Sequence, residues 1–272
     1  MRHPRHSSRN DRSNPTAAGK PAAAGPGHLW LWGTHPVLAA LANPERQCNR
    51  LLVTQEALAA SKDKLAFLAT QGLSQGRRLP PPEITDRKSL EAMLSPAAVH
   101  QGMALSTEPL ESPLLDEVLE SVGDSGTILI LDQVTDPHNL GAVLRSATAF
   151  GAVAVMTTER HAPPESGTLA KSASGALELV PWVRETNLAR ALDQMKQAGF
   201  WIAGLDAAAT QTLAAAKLSG KVGLVLGSEG DGLRRLTRDL CDLLVGLPQS
   251  GKIDSLNVSN AAAVALYELA RR

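Results

Sequence analysis

The run Thr127-Ile128-Leu129-Ile130-Leu131 is apolar without alternation. A strand with one wet face alternates, whereas an unbroken run marks a strand buried on both faces. Such strands belong to parallel sheets covered by helices. The residues that follow fit this. His138 to Phe150 places Leu140, Val143, Leu144 and Ala147 at helical spacing. Ala152–Met156 reads as a strand, and Asn187–Ala198 as a helix capped by Asn187 with Gly199 just past its end. Phe200–Gly204 and Val222–Leu226 are strand runs, Leu243–Leu247 is a strand closed by Pro248, and Asn257–Ala270 is a terminal helix. Strand and helix in alternation predict an α/β fold with a mainly parallel sheet over residues 123–272.

Upstream, a smaller unit is expected over 28–106. It opens at His28-Leu29-Trp30. It then offers a strand at Leu51–Val53, a helix over Glu56–Ala69, a stop at Pro80-Pro81-Pro82, a short helix over Ser89–Leu94 and a strand over Gly102–Leu105. Residues 107–122, Pro-, Glu- and Ser-rich at their start, are expected as a linker. Residues 1–27 hold five basic residues against the single Asp11 and little to bury, so they read as a disordered basic tail. For 272 residues, two domains is the natural division.

Aromatics are 3% of the chain, so its core must be built from Leu, Val and Ala. Lys+Arg 27 equals Asp+Glu 27, which excludes binding driven by overall positive charge but leaves room for a local basic face. Lys62, Lys64, Arg77, Arg78, Arg87 and Lys88 are the candidates for that face. Cys48 and Cys241 are too far apart in sequence to form a disulfide framework or metal pair, and read as small buried hydrophobes in a reducing, cytoplasmic setting. No apolar run reaches the ~20 residues of a membrane helix, and no membrane association is expected.

Ligands of parallel sheets bind beyond the carboxyl ends of the strands. Three polar loops stand there. The first is Asp132-Gln-Val-Thr-Asp-Pro-His-Asn139, running on to Arg145. The second is Gly227-Ser-Glu229-Gly-Asp-Gly232. The third follows Leu247 and contains Ser255-Leu256-Asn257-Val-Ser259. No phosphate-loop or dinucleotide fingerprint is present, no His/Cys set has metal spacing, and no metal is expected. Each loop alone is compatible with a turn or a helix cap; together they point to one composite site.

The three loops resemble, residue for residue and in order, the three signature motifs of the SpoU (TrmH) family of knotted SPOUT methyltransferases. Lys171-Ser-Ala-Ser-Gly-Ala176 and Val180-Pro181 fit the family's middle section. Trp32-Gly-Thr-His-Pro-Val37 and His100-Gln-Gly102 resemble the limits of a substrate-binding domain found in rRNA ribose methyltransferases of the family. The resemblance implies a C-terminal trefoil-knotted domain preceded by a small α/β ribosomal-protein-like RNA-binding domain. It also implies a homodimer packed beside the knot. S-adenosylmethionine would be held by Gly227, Leu247 and Leu256 through backbone groups.

The implied activity is methyl transfer to the 2′-hydroxyl of a guanosine ribose in 23S rRNA, free or in a large-subunit precursor. Asn139, Arg145, Glu229, Ser255 and Asn257 would be the catalytic residues. A guanidinium is effectively always protonated, so Arg145 is better read as a phosphate grip and oxyanion stabiliser than as a base. Transfer to tRNA by the same chemistry, or RNA binding without catalysis, are the alternatives.

Overall fold

The computed structural model describes residues 29–228, 230, 232–252 and 255–271. The basic 1–27 segment, His28 and Glu229 lie outside the described residues.

The N-terminal unit is a four-stranded sheet of order β1-β4-β2-β3. Its strands are β1 (Leu29–Trp32), β2 (Cys48–Val53), β3 (Pro82–Ile84) and β4 (Met103–Thr107). β4 runs antiparallel to both β1 and β2, while β3 adds in parallel at the edge, where its proline costs no central ladder bond. Period-two alternation sends Leu31, Leu51, Val53, Met103 and Leu105 to one face and Trp32, Leu52 and Ala104 to the other. Helices α1 (Thr34–Ala42) and α2 (Gln55–Ser74) pack on the first face, and α3 (Arg87–Met93) supplies Leu90 to the second. α2 runs longer at both ends than its apolar residues predict, with Thr54 accepting from Ala57 N as its cap.

The C-terminal sheet has six strands, all parallel, in the order β10-β8-β9-β5-β6-β7. They are β5 (Gly126–Leu131), β6 (Ala154–Thr158), β7 (Trp182–Glu185), β8 (Trp201–Leu205), β9 (Lys221–Leu226) and β10 (Leu243–Val245). The expected double burial holds: Leu129 and Leu131 pack on one face of β5, Ile128 and Ile130 on the other, all fully or almost fully buried. α5 (Pro137–Ala149), α6 (Gly167–Ala173) and α10 (Val258–Ala270) cover the first face. α4 (Leu115–Ser121) and α7 (Leu188–Gln197) cover the second, while α8 (Leu213–Ala216) and α9 (Arg235–Leu240) are short helices flanking β9 in sequence. The stripe Leu140, Val143, Leu144 and Ala147 on α5 is wholly buried.

Residues 107–122 are not a bare linker. They include α4, whose Leu115, Val118 and Leu119 are buried in the core beneath the large sheet. The apolar cluster on the α5 side continues without a break into the small sheet, so the two units share one core.

That shared seam is anchored by charge as well. Arg46 is wholly buried; its guanidinium meets Glu178 at 2.6 Å and Glu165 at 2.5 Å, with both carboxylates 2% exposed. Arg46 also donates to Glu108 O, Asn43 Nδ2 donates to Glu178, and Leu110 N donates to Glu165. Burial alone would lower the Arg46 pKa, but Glu178 and Glu165 outweigh it and hold it above its ordinary value. Burial likewise raises the Glu165 carboxyl. Close by, the Trp32 ring packs against α6: a Cβ on Gly167 would fall 1.9 Å from the indole, so only glycine fits there.

Candidate active site

Strands β5 and β9 are central, and their connections leave in opposite directions, β5 to β6 and β9 to β10. That is a topological switch point, where a parallel sheet opens a crevice at its carboxyl end. A cleft of about 510 Å³ lies beside it, over the ends of β8, β9 and β10. Leu205 and Asp206 enter it from the end of β8, Gly227 and Ser228 from the end of β9, and Leu247 from beyond β10; Ser255, Leu256 and Val258 close it. The chain after β10 thus crosses back over the ends of β8 and β9 before α10 packs beside α5.

The second polar loop folds back on itself. Ser228 and Gly232 exchange backbone hydrogen bonds of 3.1 and 3.2 Å. A Cβ on Gly227 would lie 2.0 Å from the Gly232 backbone, so this approach requires glycine. The result is a wall of exposed backbone groups beside the apolar side chains Leu205, Leu226, Leu247 and Leu256. Such a cleft suits an adenosine: leucines for the flat base, peptide groups for its polar edge.

The first loop is built by capping. Asp136 accepts from His138 N at 3.0 Å, Pro137 takes the first helical position, and α5 follows. This places Asn139 at the start of α5, where its Oδ1 accepts from Asn257 Nδ2 at 3.1 Å. Asn257 in turn caps α10, its Oδ1 accepting from Ser259 N and Asn260 N. Motifs separated by 118 residues therefore meet through one amide pair. Arg145 lies farther along α5, about 9 Å up the helix axis from Asn139. It is exposed and makes no hydrogen bond or ion pair among the described residues.

With this geometry in view, comparison with known proteins is direct. Residues 126–267 match the model of the SpoU rRNA Methylase family, and residues 30–113 match RNA 2'-O ribose methyltransferase substrate binding. The chain belongs to the SpoU rRNA methylase family. It is 40% identical over 243 residues to the 23S rRNA (guanosine-2'-O-)-methyltransferase RlmB of Ralstonia nicotianae, covering 89% of this chain and 95% of that one. The RlmB of Vibrio vulnificus is 38% identical over 246 residues, covering 89% and 96%. Among solved structures, the SpoU methyltransferase AviRb from Streptomyces viridochromogenes, in complex with AdoMet, aligns with a TM-score of 0.71 at 24% identity, covering 90% of each chain. An AdoMet-bound rRNA methyltransferase from Sinorhizobium meliloti aligns with a TM-score of 0.71 at 21% identity, covering 90% of this chain and 87% of that one. At those identities the two structures show the shared SpoU fold.

Of the residues singled out from the SpoU motifs, Gly227, Leu247, Ser255 and Leu256 line the cleft, and Asn139 and Asn257 bond to each other. Arg145 touches none of them. Two pairings escaped the sequence reading. Asp132, buried at the end of β5, accepts from Arg234 Nε at 2.9 Å and Thr237 Oγ1 at 2.6 Å, tying the first loop to α9. Arg238 pairs with Asp206 at 2.6 Å in the cleft. Asp132 was in plain sight at a strand end, but nothing in the sequence named its partners.

The expected basic face is partly spent internally. Arg77 donates to Arg46 O, and Arg87 pairs with Glu91. Both cysteines are half-buried, and burial pushes each thiol up to about 11.

Proposed function

We propose that this chain methylates the 2′-hydroxyl of a guanosine ribose in 23S rRNA, using S-adenosylmethionine. The observation that carries the reading is the meeting of all three motif segments at one cleft: the Gly227 loop and the Leu247–Leu256 segment wall it, and Asn257 binds Asn139 at its rim. Similarity to RlmB-type relatives over 89% of the chain supports the rRNA substrate and the guanosine. No helix among the described residues is long and apolar enough to cross a membrane. A substrate of that kind places the protein's work in the cytoplasm.

Gly227, Leu247 and Leu256 would hold the adenosine part of the cofactor. When bound, S-adenosylmethionine supplies an already electrophilic methyl group. The task left to the protein is to seat the ribose hydroxyl in line and to receive the charge that builds as its proton leaves. Arg145, exposed and unengaged among the described residues, is free to grip an RNA phosphate and stabilise that charge. Asn139 and Asn257, each holding the other, would orient the ribose, and Ser255 would fix the loop over the cleft. Glu229 keeps the role its motif implies, positioning a substrate hydroxyl.

We further read the crossing of the post-β10 chain as the trefoil knot of this fold class. For the dimer face we propose α10 and the end of α5, where Val264 and Tyr267 stand exposed and Phe150 packs edge-on to Tyr267 at 5.9 Å.

The test is transfer of labelled methyl from S-adenosylmethionine to unmodified 23S rRNA and to tRNA, with the labelled nucleotide mapped and its alkali resistance checked. Label at one alkali-resistant guanosine of 23S rRNA is expected. Label on tRNA alone would overturn the substrate, and no label with cofactor bound would overturn the catalysis.

A further inference from the structure

The carboxyl face of the large sheet carries a second cleft, on the other side of β5. It encloses about 270 Å³ between the ends of β6 and β7 and the helix α9. Arg160 and His161 enter it from the loop after β6, and Arg234 from the segment before α9. Arg234 is neutralised by Asp132, but Arg160 and His161 are exposed, and Arg160 has no partner among the described residues. No carboxylate lines this cleft among the described residues.

Two features of its lining make it a receiver of negative charge rather than a mere gap. The first turn of α7 opens into it, and Leu188 and Ala189 present backbone N–H groups that no intrahelical carbonyl can satisfy. Asn187 caps only Arg190 N. Independently, Thr158 lines the cleft while 6% exposed, and its hydroxyl is buried with no hydrogen-bond partner. A buried hydroxyl left unsatisfied is costly, and a bound ion is one of the groups that completes it. Cationic side chains, free helix N–H groups and a waiting hydroxyl together match the needs of a phosphate.

We propose that this cleft is a phosphate-binding site, taking a backbone phosphate of the RNA strand whose ribose is methylated. The inference rests on the RNA reading above for its ligand source, though the anion chemistry stands on the cleft itself. The two clefts are separated by three strand spacings, about 14 Å. One RNA strand laid across the carboxyl face therefore reaches both. The arrangement fixes the register of the strand without reading its bases.

The experiment uses the full chain and a 23S rRNA fragment. Arg160→Gln and Thr158→Val are compared with the unsubstituted protein for RNA affinity across a salt series, for S-adenosylmethionine binding and for thermal unfolding. Arg160→Gln is expected to weaken RNA binding several-fold and to cut the log–log salt slope by about 0.7, one single-strand phosphate contact, with cofactor binding unchanged. Thr158→Val is expected to weaken RNA binding while raising Tm, because it removes an unsatisfied buried hydroxyl. A residue that only supports the fold would not move those two readouts in opposite directions.

Unchanged affinity and slope in both variants, with RNA bound normally by the parent, would overturn the proposal. If the parent binds no RNA, the functional reading fails. Inorganic phosphate then decides: shifts of the Leu188 and Ala189 amides that Arg160→Gln abolishes keep a free-anion site, and their absence ends it.

Discussion

The seam between the two sheets and the rim of the active-site cleft handle polar groups in opposite ways. At the seam, Arg46 is wholly buried between Glu165, Glu178 and the Glu108 carbonyl, and the two carboxylates also accept from Leu110 N and Asn43 Nδ2. At the rim, Asn139 and Asn257 hold each other at the surface, and farther along α5 Arg145 stands in solvent. A buried charge that lacks partners is ruinous, so the seam permits one arrangement of the small sheet against the large one. An exposed charge costs little to leave in water, so Arg145 needs no partner of the kind the seam supplies. The molecule joins its two sheets with dry charges and leaves wet ones at its surface.

The sharpest way to break this contrast is at the seam. Arg46→Ala would strand two buried carboxylates, and a loss of about 3–5 kcal/mol in urea unfolding is expected; a loss below ~1 kcal/mol would show the seam to be slack. On α5, Arg145→Ala should do the reverse. Stability stays within about 0.5 kcal/mol, cofactor affinity is kept, and methyl transfer falls ~10²–10³-fold. A fall in cofactor binding instead would make Arg145 structural.

Asn257 separates the two roles within one residue. Asn257→Ala removes a helix cap and should cost about 1 kcal/mol. Asn257→Asp keeps the capping oxygen but cannot donate to Asn139, so it should recover stability without recovering transfer. Recovery of both would show the amide pair to be incidental to catalysis.

The smallest effect expected is on pH dependence. The Glu165 carboxyl is raised in the folded protein, chiefly by burial. The folded state therefore holds that proton more tightly than the unfolded chain. Its contribution is present below the unfolded pKa and is lost as pH rises through the raised folded value. Stability should decline through the range just above ordinary carboxylate titration, and Glu165→Gln should flatten that decline. Denaturant midpoints from pH 4 to 7 test it; an unchanged slope in the variant would assign the decline to other groups.

Much of the large sheet was legible because burial on both faces leaves a simple mark. The Thr127–Leu131 run and the α5 stripe have no other good fold. Short elements left none: α4, within the expected linker, and β7 and α6 are too brief for a period to declare itself. The motif residues were legible as types in a pattern. Arg46 was not, because its neighbours in sequence are those of any surface arginine, and the carboxylates that explain it lie 119 and 132 positions away.

The amino-acid sequence by itself determined the α/β alternation, the strands buried on both faces, the helix cap at Asn187, and the motif residues of a SpoU protein. These follow from local spacing and residue chemistry, which act over a few residues. Only the tertiary structure decided which strand ends converge, that Asn257 reaches Asn139, that Arg46 is buried at a shared core, and that a second, basic cleft opens over β6 and β7. Those depend on where the chain returns in space, and distance in space is the quantity that linear order does not carry.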